Sequence, residues 1–206
     1  MIDFHVIHHP LYQRDVVDFF HPQVNIHHVD GFPYHIGKGR SLGFQQGDAP
    51  YVSFFDDDGD KVNVECIDEI LNRFNSDPTI DCIFTNEIQN NKGKITKYDS
   101  PLIDRQTLTI TDVRHMHHIV VIKRNIIAKY HRLLQQSNAW PEFTLYGQMV
   151  LDGCNIQYFD TIGYQWMIHN QNAKYLKIKP SLYSINMVRK TMGVNVMLTQ
   201  AQYDKL

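Results

Sequence analysis

The segment YVSFFDDDGD, residues 51–60, carries the strongest chemical signal in the chain. Asp56, Asp57, Asp58 and Asp60 follow directly on an unbroken apolar, β-favouring run. Carboxylates this close repel one another unless a divalent cation or a proton relieves the charge. A hard ion such as Mg2+ or Mn2+ takes carboxylate oxygens by preference. In open α/β sheets ligands gather beyond the carboxyl ends of the strands, which is where these residues stand if 51–55 is a buried strand. A solvated acidic turn needs the same residue types, because Asp and Gly dominate turns for reasons of their own. An EF-hand does not fit. With Asp56, Asp58 and Asp60 at its first, third and fifth positions, Lys61 falls where Gly is required and Ile67 where Glu is required.

A scaffold for such a turn is legible around it. Short apolar runs at 4–8, 24–29, 51–55 and 80–85 read as strands, and stretches at 14–20, 39–46 and 64–74 read as the helices between them. The last of these places Val64, Ile67, Ile70, Leu71 and Phe74 on one helical face. Strands taking turns with helices are the pattern of an α/β fold, and the continuous run at 51–55 is the kind buried on both faces. The polar stretch 87–112, with Asn90, Asn91, Gly93 and Pro101, reads as a hairpin plus a loop. Beyond it come an apolar run at 119–122, helices at 125–136 and 143–151, the second ended by Gly153, and a strand at 156–159. The tail from 173 reads as a strand and a short helix.

With 206 residues, 43% of them hydrophobic and 20% charged, the chain can bury a core without covalent staples. One domain over 1–206 is expected, divided into halves 1–104 and 105–206. Cys66, Cys82 and Cys154 are odd in number and lack metal-knuckle spacing, which argues against a disulfide framework or a structural zinc and for a reducing, cytoplasmic location. No basic-apolar leader opens the chain and no run reaches the roughly 18 apolar residues of a membrane span. The formal net charge of -2 hides an asymmetry. Residues 1–104 hold 17 acidic and 8 basic residues, whereas 105–206 hold 5 and 12, so the halves carry -9 and +7. Either the halves attract each other across one domain, or the carboxyl half meets an anionic partner.

The order FHVIHHPLYQR, NIHHVDG, GKGRSLGFQQGDAPYVSFF, DDD and PEFTLYGQMVLDGCNIQYFDTIGYQWMIH resembles the nucleotide-sugar glycosyltransferases of the GT-A fold, family 2 in particular, over most of residues 2–172. That resemblance implies a single GT-A-like, Rossmann-related domain with a central, mostly parallel sheet flanked by helices. It implies a hexosyl- or pentosyltransferase with a DXD motif that uses Mn2+ or Mg2+ and a nucleotide-sugar donor, a UDP-sugar first. Carried over residue by residue, it places Pro10 and Tyr12 along the nucleoside pocket, Asp30 on the nucleobase and Arg40 near the nucleotide. Asp56 and Asp58 become the two DXD positions, Asp58 as metal ligand and Asp56 at the metal or ribose, and His169 completes the metal site. Glu142 becomes the general base, because many inverting members carry Glu-Asp where this chain has Glu142-Phe143.

Alternatives remain open on the same residues. Glu142 is also a fitting first-turn charge for a helix dipole. FFDDDGD matches the DxDG pattern of haloacid-dehalogenase-like phosphatases, with Asp56 as nucleophile and Asp58 as acid/base, although that family carries it on its first strand, and Asp152-Gly153 and Asp160 supply no GDxxxD partner. A catalytically inactive nucleotide- or carbohydrate-binding module is the third reading. For the acceptor, Arg105, Arg114, Lys123, Arg124, Lys129, Arg132, Lys174, Lys177 and Lys179 point to nucleic acid, a phosphate-bearing glycan or another anionic polymer.

Overall fold

In the computed structural model, the described residues are 1–8, 19–31, 36–56, 61–98, 108–168 and 179–205. In chain order the elements are β1 (Ile2–His8), β2 (Val24–Asp30), α1 (Ile36–Phe44), β3 (Tyr51–Asp56), β4 (Lys61–Val62), α2 (Cys66–Ser76), β5 (Cys82–Asn91) and β6 (Lys94–Tyr98). A 3-10 helix (Ile110–His115), β7 (His117–Lys123), α3 (Arg124–Gln136), α4 (Pro141–Leu151), β8 (Ile156–Ile168), α5 (Leu182–Thr191) and α6 (Gln200–Tyr203) follow. The helix expected at 14–20 falls largely outside the described residues, and the described part of the tail holds α5 and α6 joined by an irregular stretch, without a strand.

The run 51–55 is a strand buried on both faces, as its composition requires. Val52 and Phe54 of β3 join Phe84, Val120, Ile127, Leu134 and Leu145 in the core beneath α3 and α4. Phe55 joins Phe4, Ile67, Ile70, Phe74, Ile83 and Ile119 in the core beneath α2. Apolar residues therefore fill both sides of one sheet, whose order is β2-β1-β3-β7-β5-β8-β4 with β6 paired to β5.

The expectation of a mostly parallel sheet is overturned. Among the described residues, β1–β2, β1–β3 and β5–β8 pair parallel, while β3–β7, β5–β7, β5–β6 and β4–β8 pair antiparallel. The sheet is mixed and curls into a half-barrel. The physical reason lies in the connection. A parallel return needs a crossover that carries the chain back across a face of the sheet, whereas β7 runs back between β3 and β5. The pairings still align β1, β2, β3, β5 and β8 in one direction, so the carboxyl ends of five strands share one edge. At that edge the β5–β7 and β5–β8 registers both shift around Phe84 to Glu87, an irregularity of the kind that re-aims side chains beside functional sites.

Helix α1 owes its close seat to glycine. A Cβ at Gly37 would overlap the carbonyl oxygens of Leu134 and Ser137, and one at Gly39 would press on Ile7. The sequence GKGRSLG thereby lets α1 lie flush against β1 and α3, and it carries Arg40 into the interior.

The opposite edge is tied by a buried charge. Asp3, fully buried on β1, accepts hydrogen bonds from Asn25 Nδ2 at 2.9 Å, His27 Nε2 at 3.1 Å and the Ala49 N–H at 2.9 Å, and it pairs with Arg124. Arg124 also donates to the carbonyls of Ala49 at 2.6 Å and Phe44 at 2.9 Å. Burial works against the Asp3 charge, yet the three hydrogen bonds hold its carboxyl below the ordinary value.

Candidate functional site

Three of the residues singled out from the sequence meet at the carboxyl edge. Asp56 is the last residue of β3, and Glu142 stands in the first turn of α4. Arg40 of α1, 2% exposed, lies between them with Nη1 3.3 Å from Glu142 Oε2 and Nη2 3.7 Å from Asp56 Oδ1. Burial alone would ease the guanidinium toward neutrality, but the Asp56 and Glu142 carboxylates hold it charged. Burial pushes the Glu142 carboxyl above its ordinary value, Arg40 pulls it back, and the Asp56 charge adds to the rise. Tyr146, one turn further along α4, is buried beside this group and stays a neutral phenol, its hydroxyl pushed up chiefly by burial.

Among the described residues, two buried polar atoms at the site have no hydrogen-bond partner, Arg40 Nε and Asp56 Oδ1, the latter standing in ion-pair range of Arg40 Nη2. A buried unsatisfied carboxylate oxygen is expensive, and a cation or a hydroxyl donor would satisfy it, so Asp56 fits a role toward either. Among the described residues no group of three or more His, Cys, Asp or Glu gathers to hold a metal. Asp58 and His169 lie outside the described residues, as do Pro10 and Tyr12.

Asp30 is not part of the Arg40 cluster. It ends β2 opposite His8, and Asp56 pairs with Ile7 of the same strand β1. The two aspartates thus close strands on either side of β1, and the pleat sends His8 and Ile7, with their partners, to opposite faces. Asp152 and Asp160 are engaged elsewhere. Asp152 accepts from Tyr130 and Gln148 at the far end of α4, and Asp160 accepts from Asn86 and Tyr158. Phe143, where the resemblance expects Asp, packs against the core beneath α4.

The approach to Glu142 is held in an unusual backbone state. Trp140 has φ 49° and ψ 50°, a left-handed conformation disfavoured for a bulky residue. Its flanks are clamped: Ser137 Oγ meets Thr144 Oγ1 at 2.6 Å, and Asn138 bonds both the Lys179 carbonyl and the Ser181 N–H. Trp140 and Tyr146 are site neighbours that no motif revealed. The pattern W-P-E, with Pro at the first helical position, is the signal that would have marked the turn.

Several basic residues expected to face an anion have partners within the chain. Arg124 serves Asp3, Lys123 donates to the Pro78 carbonyl, and Lys179 stands 4.4 Å over the Tyr203 ring. Lys129 and Arg132 are exposed on α3, and Arg105, Lys174 and Lys177 are outside the described residues. No helix among the described residues is long and apolar enough to cross a membrane.

No family model matches the chain, and no curated protein matches it by sequence. Its fold is shared with solved structures. S. aureus TarS 1–349 in complex with UDP-GlcNAc superposes with a TM-score of 0.65 at 11% identity, over 99% of this chain and 69% of that one. The same TarS segment in complex with UDP gives 0.60 at 11% identity, over 100% and 69%. A longer S. aureus TarS chain gives 0.61 at 10% identity, and 99% of this chain then spans 41% of that one. At such identities the likeness is one of fold.

Proposed function

We propose that this chain transfers a sugar from a nucleotide-diphosphate donor, as a GT-A-type enzyme resembling family 2. The observation that carries the reading is the convergence of Asp56 and Glu142 on Arg40 at the strand edge, in a fold shared with a protein solved holding UDP-GlcNAc. The donor in this reading is a UDP-sugar. Its uridine lies along the turn with Pro10 and Tyr12 and against Asp30, and its diphosphate lies at Asp56 and Asp58.

Asp56, Asp58 and His169 are the residues that would hold Mn2+ or Mg2+, which supplies Lewis-acid neutralisation of the departing diphosphate. The described chain supports that grouping at its ends. It leaves β3 at Asp56, returns as β4 at Lys61 opposite Gln165, and β8 runs in the same direction as β3 to end at Ile168, directly before His169. Glu142 takes the proton from the acceptor hydroxyl as the anomeric carbon is attacked. Its raised pKa favours that task, because a carboxylate nearer neutrality is the stronger base. An acceptor with anionic groups remains our reading for the carboxyl half, resting on its +7 charge and on Lys129 and Arg132.

One observation favours a second reading, a module that binds the donor without transferring it. Phe143 packs into the core and leaves Glu142 as the carboxylate at that turn. Calorimetry with UDP-GlcNAc and Mn2+ should give binding that is abolished by EDTA and by Asp58→Asn. A single-turnover assay should then show Glu142→Gln binding normally and transferring about 10² to 10⁴ more slowly. Binding indifferent to EDTA and to Asp58→Asn refutes the metal-bridged donor site. Normal binding with no transfer by the wild type favours the module.

A further inference from the structure

The surroundings of Arg40 assign it a task different from nucleotide contact. Its guanidinium is enclosed, whereas the Asp56 and Glu142 side chains are 42% and 30% exposed. Both carboxylates reach solvent, and the arginine stands behind them. The two pairs are unequal, Arg40 Nη1 donating a hydrogen bond to Glu142 while Nη2 stands in ion-pair range of Asp56. Charge-assisted Arg–carboxylate bonds run at about 2.7 to 2.9 Å, and here the separations are 3.3 Å and 3.7 Å. One cation is thus divided between a carboxylate at the end of β3 and another on α4, the latter 102 residues along the chain from Arg40.

Resting on the donor-site reading above, we propose that Arg40 is a positioning residue that holds Glu142 in register with the Asp56 strand end and does not itself bind the nucleotide. Two facts of geometry favour this over direct contact. The glycines of α1 sink the helix against β1 and α3, which withdraws Arg40 behind the carboxylates. The two terminal nitrogens of its planar fork are directed at two different elements, so a single rigid group fixes the spacing between them. The ionisable groups acting on Glu142 in this arrangement are Arg40 of α1 and Asp56 of β3, with the Tyr146 phenol beside it on α4.

The test uses the full chain and two variants, Arg40→Met and Arg40→Lys. The Glu142 carboxyl is followed by carbon NMR with labelled glutamate, its resonance identified by its loss in Glu142→Gln. Arg40→Met should raise the Glu142 titration midpoint by about 1 to 3 pH units, and Arg40→Lys, a charge without the fork, should fall between it and the wild type. UDP binding by calorimetry should persist in Arg40→Met, changed only as far as the uncovered Asp56 carboxylate changes it. Transfer from UDP-GlcNAc should fall about a hundredfold in kcat, with KM little changed. Loss of UDP binding in Arg40→Met together with an unchanged Glu142 midpoint overturns the proposal and makes Arg40 a nucleotide ligand. If the Met variant does not fold, the Lys variant carries the same comparison, and a wild-type midpoint in it overturns the proposal equally. A wild-type protein that binds no UDP removes the donor reading alone, because the Glu142 titration still decides whether Arg40 holds it.

Discussion

Acidification should unfold this protein through His5, and the magnitude follows from where the ring sits. His5 is fully buried in the middle of β1, stacked on His27 at 5.1 Å and tilted against Phe54 at 5.7 Å, and neither ring nitrogen has a hydrogen-bond partner. Burial, with help from His27 and Arg124 and against the pull of Asp3, lowers its pKa from 6.5 to about 3. Below pH 6.5 the unfolded chain binds a proton on this imidazole that the folded protein refuses. The stability owed to a neutral His5 is therefore complete above 6.5 and is lost as the pH falls toward 3. Each pH unit in that window removes about 1.4 kcal/mol, so near pH 4.5 the loss is about 2.7 kcal/mol. Asp3 does not interfere, since its carboxyl titrates below its ordinary 3.8. Glu142 acts in the opposite direction, its raised pKa adding stability as the pH falls, but equally in any His5 variant. His5→Leu removes the imidazole at nearly constant volume. Urea unfolding of both proteins between about pH 7.5 and about pH 4.5 should show the wild type losing about 2.7 kcal/mol more than the variant, at equal m-values. Parallel stability curves would refute the assignment and require a proton or a solvent path at His5.

Two further outcomes test the scaffold. Arg124→Met should cost about 3 to 5 kcal/mol in urea unfolding, because it strands the buried Asp3 carboxylate without its cation; a change near zero would release Arg124 for the anion-binding role read from the sequence. Lys92→Gly should gain about 1 kcal/mol in the same measurement. Lys92 and Gly93, at φ 53° and 92°, form the two-residue turn between β5 and β6, where a left-handed Lys is strained and Gly is at ease.

The strands and helices were legible wherever burial imposes a period. The runs at 4–8, 24–29, 51–55, 119–122 and 156–159 lie within β1, β2, β3, β7 and β8, the run at 80–85 overlaps β5 from Cys82, and the helices at 125–136 and 143–151 fall on α3 and α4. What composition does not encode is direction. An apolar run such as IVVI reads the same whether its strand lies parallel or antiparallel, and β7 is the element that makes the sheet mixed. Nor does it encode where pairing stops: β5 continues to Asn91 and β8 to Ile168 because each supplies the other's polar extension with a partner. The Arg40, Asp56 and Glu142 cluster was legible as three separate residues through the family resemblance, but their meeting is a tertiary fact. One signal was available and unused. Asp3 and His5 interrupt an otherwise apolar first strand, IDFHVIH, and a charge in a buried strand demands a partner, which Arg124 supplies.

That partner changes the meaning of the charge asymmetry. The -9 and +7 halves invited a search for an anion outside the molecule. Part of the basic half's charge is committed within it. Arg124 of the basic half neutralises Asp3 of the acidic one and Lys123 donates to the Pro78 carbonyl, whereas the Arg40–Glu142 pair takes one charge of the minority sign from each half and so does not reduce the imbalance. Each bond that crosses between the halves draws a residue away from the count of free surface charge. The argument for an anionic acceptor consequently narrows to the cations that remain exposed, Lys129 and Arg132 on α3 among them. These stand on the helix against which α1 is packed through Gly37, so the same element that seats Arg40 behind the carboxylates also carries the positive face on which an acceptor would have to be sought.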